Sequence, residues 1–111
     1  MNIKCEDYDH VTVLSVTGEF TAEATDPFRK EIDERLQKKV RFFVIDLQQT
    51  TFLDSKALEA LIWVQEQCDE RMGTVRLCNP DDMCRKILQI TRLDARFDVF
   101  ADVTEAVKTM R

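Results

Sequence analysis

A chain of 111 residues, 44% hydrophobic and 33% charged, suits one globular domain with a single sizeable core, not a disordered or fibrous protein. Its formal net charge of −5 argues against a general binder of phosphate backbones, which needs a basic surface, so no nucleic-acid partner is expected. Lys and Arg are scattered along the chain, no apolar run approaches the ~20 residues of a spanning helix, and the start MNIKCEDYDH has no signal core; a cytoplasmic protein without membrane insertion is expected.

Residues 2–5 (NIKC) and 11–17 (VTVLSVT) are β-rich and separated by the polar stretch EDYDH, which predicts an antiparallel hairpin. Gly18 is expected to end the second strand. Over residues 22–39, Phe28, Ile32 and Leu36 recur every four positions, so a helix with a narrow apolar stripe is predicted. Its start is either the Asp26-Pro27 pair or one turn earlier, after Thr21. Residues 40–47 (VRFFVIDL) are apolar nearly throughout, as in a strand covered on both faces.

A second helix is predicted from about 55 to 71, then a strand at 74–78 (TVRLC), stopped by Asn79-Pro80. Residues 81–92 place Met83, Cys84, Ile87, Leu88 and Ile90 on one arc, opposite Arg85, Lys86 and Gln89. A short strand at 97–100 (FDVF) precedes a last helix, which Asp102 can cap, with Glu105 completing a capping box. The order ββαβαβαβα predicts an α/β fold, in which a hairpin and then β-α units build a mixed, mostly parallel sheet packed with about four helices.

Four cysteines stand at positions 5, 68, 78 and 84, with no C-x-x-C, and the lone histidine is His10. That spacing does not suit a zinc site, and Cys68 and Cys84 fall on apolar helix faces while Cys78 ends a strand, so core thiols are expected and no metal or cofactor. Without a Cys-His, G-x-S-x-G or Gly-rich phosphate loop, catalysis has no evident seat and a non-enzymatic role is expected.

In a largely parallel sheet, binding sites gather at the carboxyl ends of strands, where TTFLDSKAL (50–58) puts Asp54 and Ser55. Two readings of Ser55 stay open. Its hydroxyl can cap the following helix. Alternatively it can carry a phosphoryl group, which the free N–H groups and positive dipole of a helix N-terminus favour. Ala57, Leu58, Leu61, Gln65 and Cys68 make the apolar face of that helix, whereas Trp63 points nearly opposite, among Lys56, Glu59, Gln67 and Glu70. Trp63 then either packs on a neighbouring helix or anchors a partner.

The stretch VIDLQQTTFLDSKALEALIWV resembles the signature of the STAS domain, the fold of bacterial anti-sigma factor antagonists. VTVLSVTGEF resembles the family's second strand, and LCNPDDMCRKILQITRLDARFDVFADVTEAV its C-terminal half, so the resemblance runs over residues 1–111 as a single STAS domain. Membership implies an interaction module that binds a kinase-type anti-sigma factor and so frees a sigma factor. Ser55 would be the phosphoacceptor that ends the interaction, and a PP2C-type phosphatase would restore it. Asp54, Lys56, Glu59, Trp63 and Thr21 would form the partner-binding surface. The family's antagonists commonly follow Asp-Ser with a small residue and glycine, and carry aspartate after Gly-x-Leu; this chain has Lys56-Ala57 and Thr21. A second role implied by the same resemblance is a regulatory subunit of a membrane transporter, with an ABC transporter ATPase subunit as the partner.

Overall fold

The computed structural model describes residues 2–108 and Met110. Strands β1 (Asn2–Tyr8) and β2 (Val11–Phe20) form the expected antiparallel hairpin, running from Asn2 opposite Thr17 to Tyr8 opposite Val11. The turn is tighter than the polar stretch EDYDH suggests. Asp9, at φ 59°, and His10 suffice to reverse the chain.

Helix α1 (Ala22–Gln37) starts after Thr21, and Pro27 lies inside its first turns. Strand β3 (Phe42–Asp46) pairs parallel to β2 and to β5 (Thr74–Cys78), which in turn pairs parallel to the short β6 (Val99–Phe100). Helices α2 (Ser55–Glu70) and α3 (Asp82–Ile90), a 3-10 turn (Leu93–Ala95) and α4 (Val103–Val107) complete the order. Asp102 caps α4 by accepting the Glu105 backbone N–H at 2.8 Å.

Two features depart from expectation. Gly18 does not end β2. Instead the strand bulges between Gly18 and Glu19, with Gly18 at φ 93°, and runs on to Phe20. Its continuation pairs parallel to an unforeseen strand, β4 (Thr50–Leu53). The polar residues Thr50 and Thr51 hide this strand from a hydrophobicity reading. Thr50 is nevertheless buried, and its hydroxyl donates to the Val16 carbonyl at 2.6 Å.

Alternation along the strands divides the core in two. Leu14, Val16, Phe43, Ile45 and Leu77 face α1, α2 and α3, whereas Val11, Val13, Phe42, Val44 and Cys78 face α4 and Met110. Phe20 packs on Phe28 with ring centroids 4.9 Å apart, a contact worth about 1 kcal/mol beyond its buried area. On α3 the predicted arc is only half used: Cys84 and Leu88 are buried, while Met83 and Ile90 are exposed. No helix of the described residues is long and apolar enough to cross a membrane.

Candidate functional site

Strands β2 and β4 end side by side, Phe20 opposite Leu53, and each passes at once into a helix. The N-termini of α1 and α2 therefore lie together at one pole of the sheet. Each exposes backbone N–H groups that have no partner within their own helix. Asp54 serves both. Its Oδ1 accepts the Ala57 N–H at 2.9 Å and its Oδ2 accepts the Ala22 N–H at 3.0 Å. The Asp54 N–H in turn donates to the Phe20 carbonyl at 3.2 Å.

This geometry corrects the capping reading of Ser55. The N-cap of α2 is Asp54, and Ser55 is the first helical residue. Ser55 is exposed, and the cap that holds α2 does not depend on its hydroxyl. Thr21 is the N-cap of α1 by position, but its side chain makes no cap hydrogen bond. The carboxylate that α1 needs arrives from Asp54 instead.

Lys56 and Glu59 lie exposed at the start of the helix and pair with each other at 3.4 Å. Trp63 shares their stripe, since residues three and four apart stack on one helix face. It is less free than the helical wheel predicts: half-buried, it packs against the main core, and the Arg29 guanidinium of α1 lies 5.0 Å from its ring centroid. The buried face of α2 is also rotated from the expected one, comprising Ala57, Ala60, Leu61, Val64 and Cys68. Gln65, expected in the core, instead exchanges hydrogen bonds with Arg96, both at 2.7 Å.

The structure thus brings Thr21, Asp54, Ser55, Lys56 and Glu59 to one pole, with Trp63 at its flank. Sequence reasoning missed Arg29, which no local signal links to Trp63, and Phe52. The latter is exposed two residues before Asp54. Alternation with the buried Leu53 was the available signal for it.

Cys68, Cys78 and Cys84 are buried free thiols, as expected. Burial pushes each up to about 12. Cys5 is half-buried, and desolvation plus donation to Glu31 at 3.4 Å raise its thiol to about 11. These groups are protonated at neutral pH and are poor nucleophiles. His10 sits in the hairpin turn with its Nε2 3.0 Å from the Met110 carbonyl.

Comparison with known proteins agrees with this architecture. The family model of the STAS domain matches residues 2–106. A STAS-domain containing protein of Pseudomonas aeruginosa is 30% identical over 78% of this chain and 84% of its own length. A crystal structure of a candidate anti-sigma factor antagonist from Thermotoga maritima superposes with a TM-score of 0.91 at 21% identity, covering 98% of this chain and 94% of that one. The phosphorylated form of the Bacillus cell fate determinant SpoIIAA, also 21% identical, gives 0.79 over 99% of this chain and 100% of that one. With the paired helix N-termini, the mixed sheet and a family match over nearly its whole length, the chain belongs to the STAS domain family and has the fold of anti-sigma factor antagonists.

Proposed function

We propose that this protein is a phosphorylation-switched binding module of the cytoplasm that docks a kinase-type anti-sigma factor through the pole bearing Ser55. The observation that carries this reading is the division of labour between neighbours. Asp54 holds both helix N-termini, so the exposed Ser55 hydroxyl is free to accept a phosphoryl group without loss of a cap. A phosphoserine there brings about −1.5 to −2 charges against a helix N-terminus, where the dipole and free N–H groups tolerate them.

The added charge falls beside Asp54 and, one turn on, Glu59, with Lys56 next in sequence and already paired with Glu59. It makes desolvation of the pole costly and repels an acidic partner surface. Binding is lost while the fold is kept. A PP2C-type phosphatase would reverse the change. The existence of SpoIIAA in a phosphorylated form supports such a cycle on this fold.

The test is affinity capture from the source cells with wild-type, Ser55→Ala and Ser55→Asp protein, followed by mass spectrometry of the partners and of Ser55. The expected result is an anti-sigma factor with a kinase domain, captured by the wild type and Ser55→Ala and lost with Ser55→Asp. Equal capture by all three rejects the switch. Capture of an ABC transporter ATPase in its place rejects the sigma-factor pathway.

A further inference from the structure

At the pole opposite Ser55, cations scattered in the sequence meet in space. The loops that follow α1 and α2 return to the amino ends of the parallel strands β3 and β5. There Lys38, Lys39, Arg41 and Arg71 line one open cleft of about 960 Å³. Lys39 follows the end of α1 in the left-handed region, φ 72°, and Met72 does the same after α2, φ 60°. The cleft also has an aromatic side. The Phe42 ring meets His10 edge-on at 5.5 Å, and the Arg41 guanidinium lies 5.3 Å from the Phe42 centroid.

The ordinary explanation is that cations near helix C-termini complement the macrodipole. It covers only part of the charge. Two helix ends supply roughly −0.5 each, about −1 in total, against four full positive charges. Among the described residues none of the four is paired with a carboxylate. The ion pairs Lys4–Glu6, Arg35–Asp7, Arg35–Glu31 and Lys56–Glu59 involve none of the four. Arg71 donates instead to the Gln67 carbonyl and side-chain oxygen, at 3.0 and 3.1 Å. Asp9, at the His10 side, is 92% exposed and 3.3 Å from the imidazole. In a chain of net charge −5, the cleft is, with Asp9 counted, a local positive excess of about two charges.

We propose that this cleft binds a small anion carrying two or more linked phosphates. The planar forks of Arg41 and Arg71 suit phosphate oxygens, and Lys38 and Lys39 supply mobile point charges. A diphosphate matches the charge excess, which a single carboxylate does not. The volume lies within the roughly 300–1,000 Å³ of small-molecule sites. Phe42 lines the same cleft, so a group attached to the phosphates would lie near it. The site lies at the other end of the sheet from Ser55, so it stands or falls independently of the switch.

The experiment is a titration of ¹⁵N-labelled protein at low ionic strength, with inorganic pyrophosphate in one arm and a nucleoside diphosphate in the other. Saturable shifts at the amides of Lys39, Arg41 and Arg71, weakening as salt is raised, are expected in both arms. Tighter binding of the nucleoside diphosphate assigns the Phe42 side to an attached group; equal binding assigns the site to phosphates alone. Lys39→Gln/Arg41→Gln should bind at least tenfold more weakly with an unchanged amide spectrum elsewhere. Lys38→Gln, on an exposed side chain, gives a milder loss should the double variant misfold. An Arg85→Gln/Lys86→Gln control on α3 should bind as wild type. The proposal is overturned if neither anion saturates by about 1 mM, if the shifts map outside the cleft, or if the cleft variants bind like wild type.

Discussion

The Asp54 carboxylate and the Ala22 amide, 32 positions apart in sequence, meet at 3.0 Å, so one side chain fastens the start of α1 to the start of α2. Its other oxygen is committed to Ala57. Capping bonds of this kind are worth about 1 kcal/mol each, so Asp54→Ala should cost about 2 kcal/mol in urea unfolding. Asn cannot replace Asp here. Its amide offers one acceptor oxygen, and the NH₂ group would face a second N–H donor. Asp54→Asn should therefore recover at most half of the loss, and Ser55→Ala should change stability by less than about 0.5 kcal/mol. A Ser55→Ala loss as large as that of Asp54→Ala would return the cap to the serine.

Trp63 serves the α1–α2 seam before it serves any partner. Half-buried against the core with Arg29 over its ring, it should cost about 2 kcal/mol when truncated to Ala. Arg29→Ala should cost about 0.5 kcal/mol, and the double variant less than the sum, because the two touch. A thermodynamic cycle by chemical denaturation measures this. Strict additivity would show that the stacking carries no energy.

The two glycines fail for different reasons. A Cβ at Gly73 would lie 1.9 Å from the Arg41 carbonyl oxygen, a backbone atom that cannot step aside cheaply. Gly73→Ala should cost about 3 kcal/mol, and the paired β3–β5 ends should shift in its amide spectrum. At Gly18 there is open space around the missing Cβ, but φ is 93°. Gly18→Ala should cost about 1 kcal/mol through backbone strain alone. The order of the two losses is the decisive reading.

The thiols give a pH signature. Their folded values, about 11 for Cys5 and about 12 for Cys68, Cys78 and Cys84, lie above the ordinary 9.0. Between these limits the unfolded chain loses the proton and the folded one keeps it, so the fold binds more protons and stability falls as pH rises. The contribution is complete below pH 9.0 and is lost progressively above it. Unfolding free energy should decline from pH 9 to 10, and a Cys68→Ala/Cys84→Ala variant should decline less steeply. Thiol-reactive dye should label the native protein slowly at neutral pH, and all four cysteines promptly in urea.

Much of the fold was legible because it rests on local pattern. The four-residue spacing of Phe28, Ile32 and Leu36 and the apolar run through Phe43 and Ile45 report directly on what is buried. What escaped depended on pairing or on shared partners. β4 is a strand because β2 offers it a ladder beyond the Gly18 bulge, not because Thr50 and Thr51 favour burial. Asp54 and Ser55 are both good capping residues. Choosing between them needs the position of α1, which no window around residue 54 contains. Met83 and Ile90 show the converse: an apolar arc on α3 wider than the surface available to cover it.

The most direct measurement uses protein carrying phosphoserine at position 55, compared with the unmodified form for melting temperature and for affinity toward the captured partner. A melting temperature that hardly moves, together with affinity at least tenfold weaker, is predicted, since Asp54 keeps both helix N-termini capped. Undiminished affinity, or binding lost only because the modified protein unfolds, would contradict it.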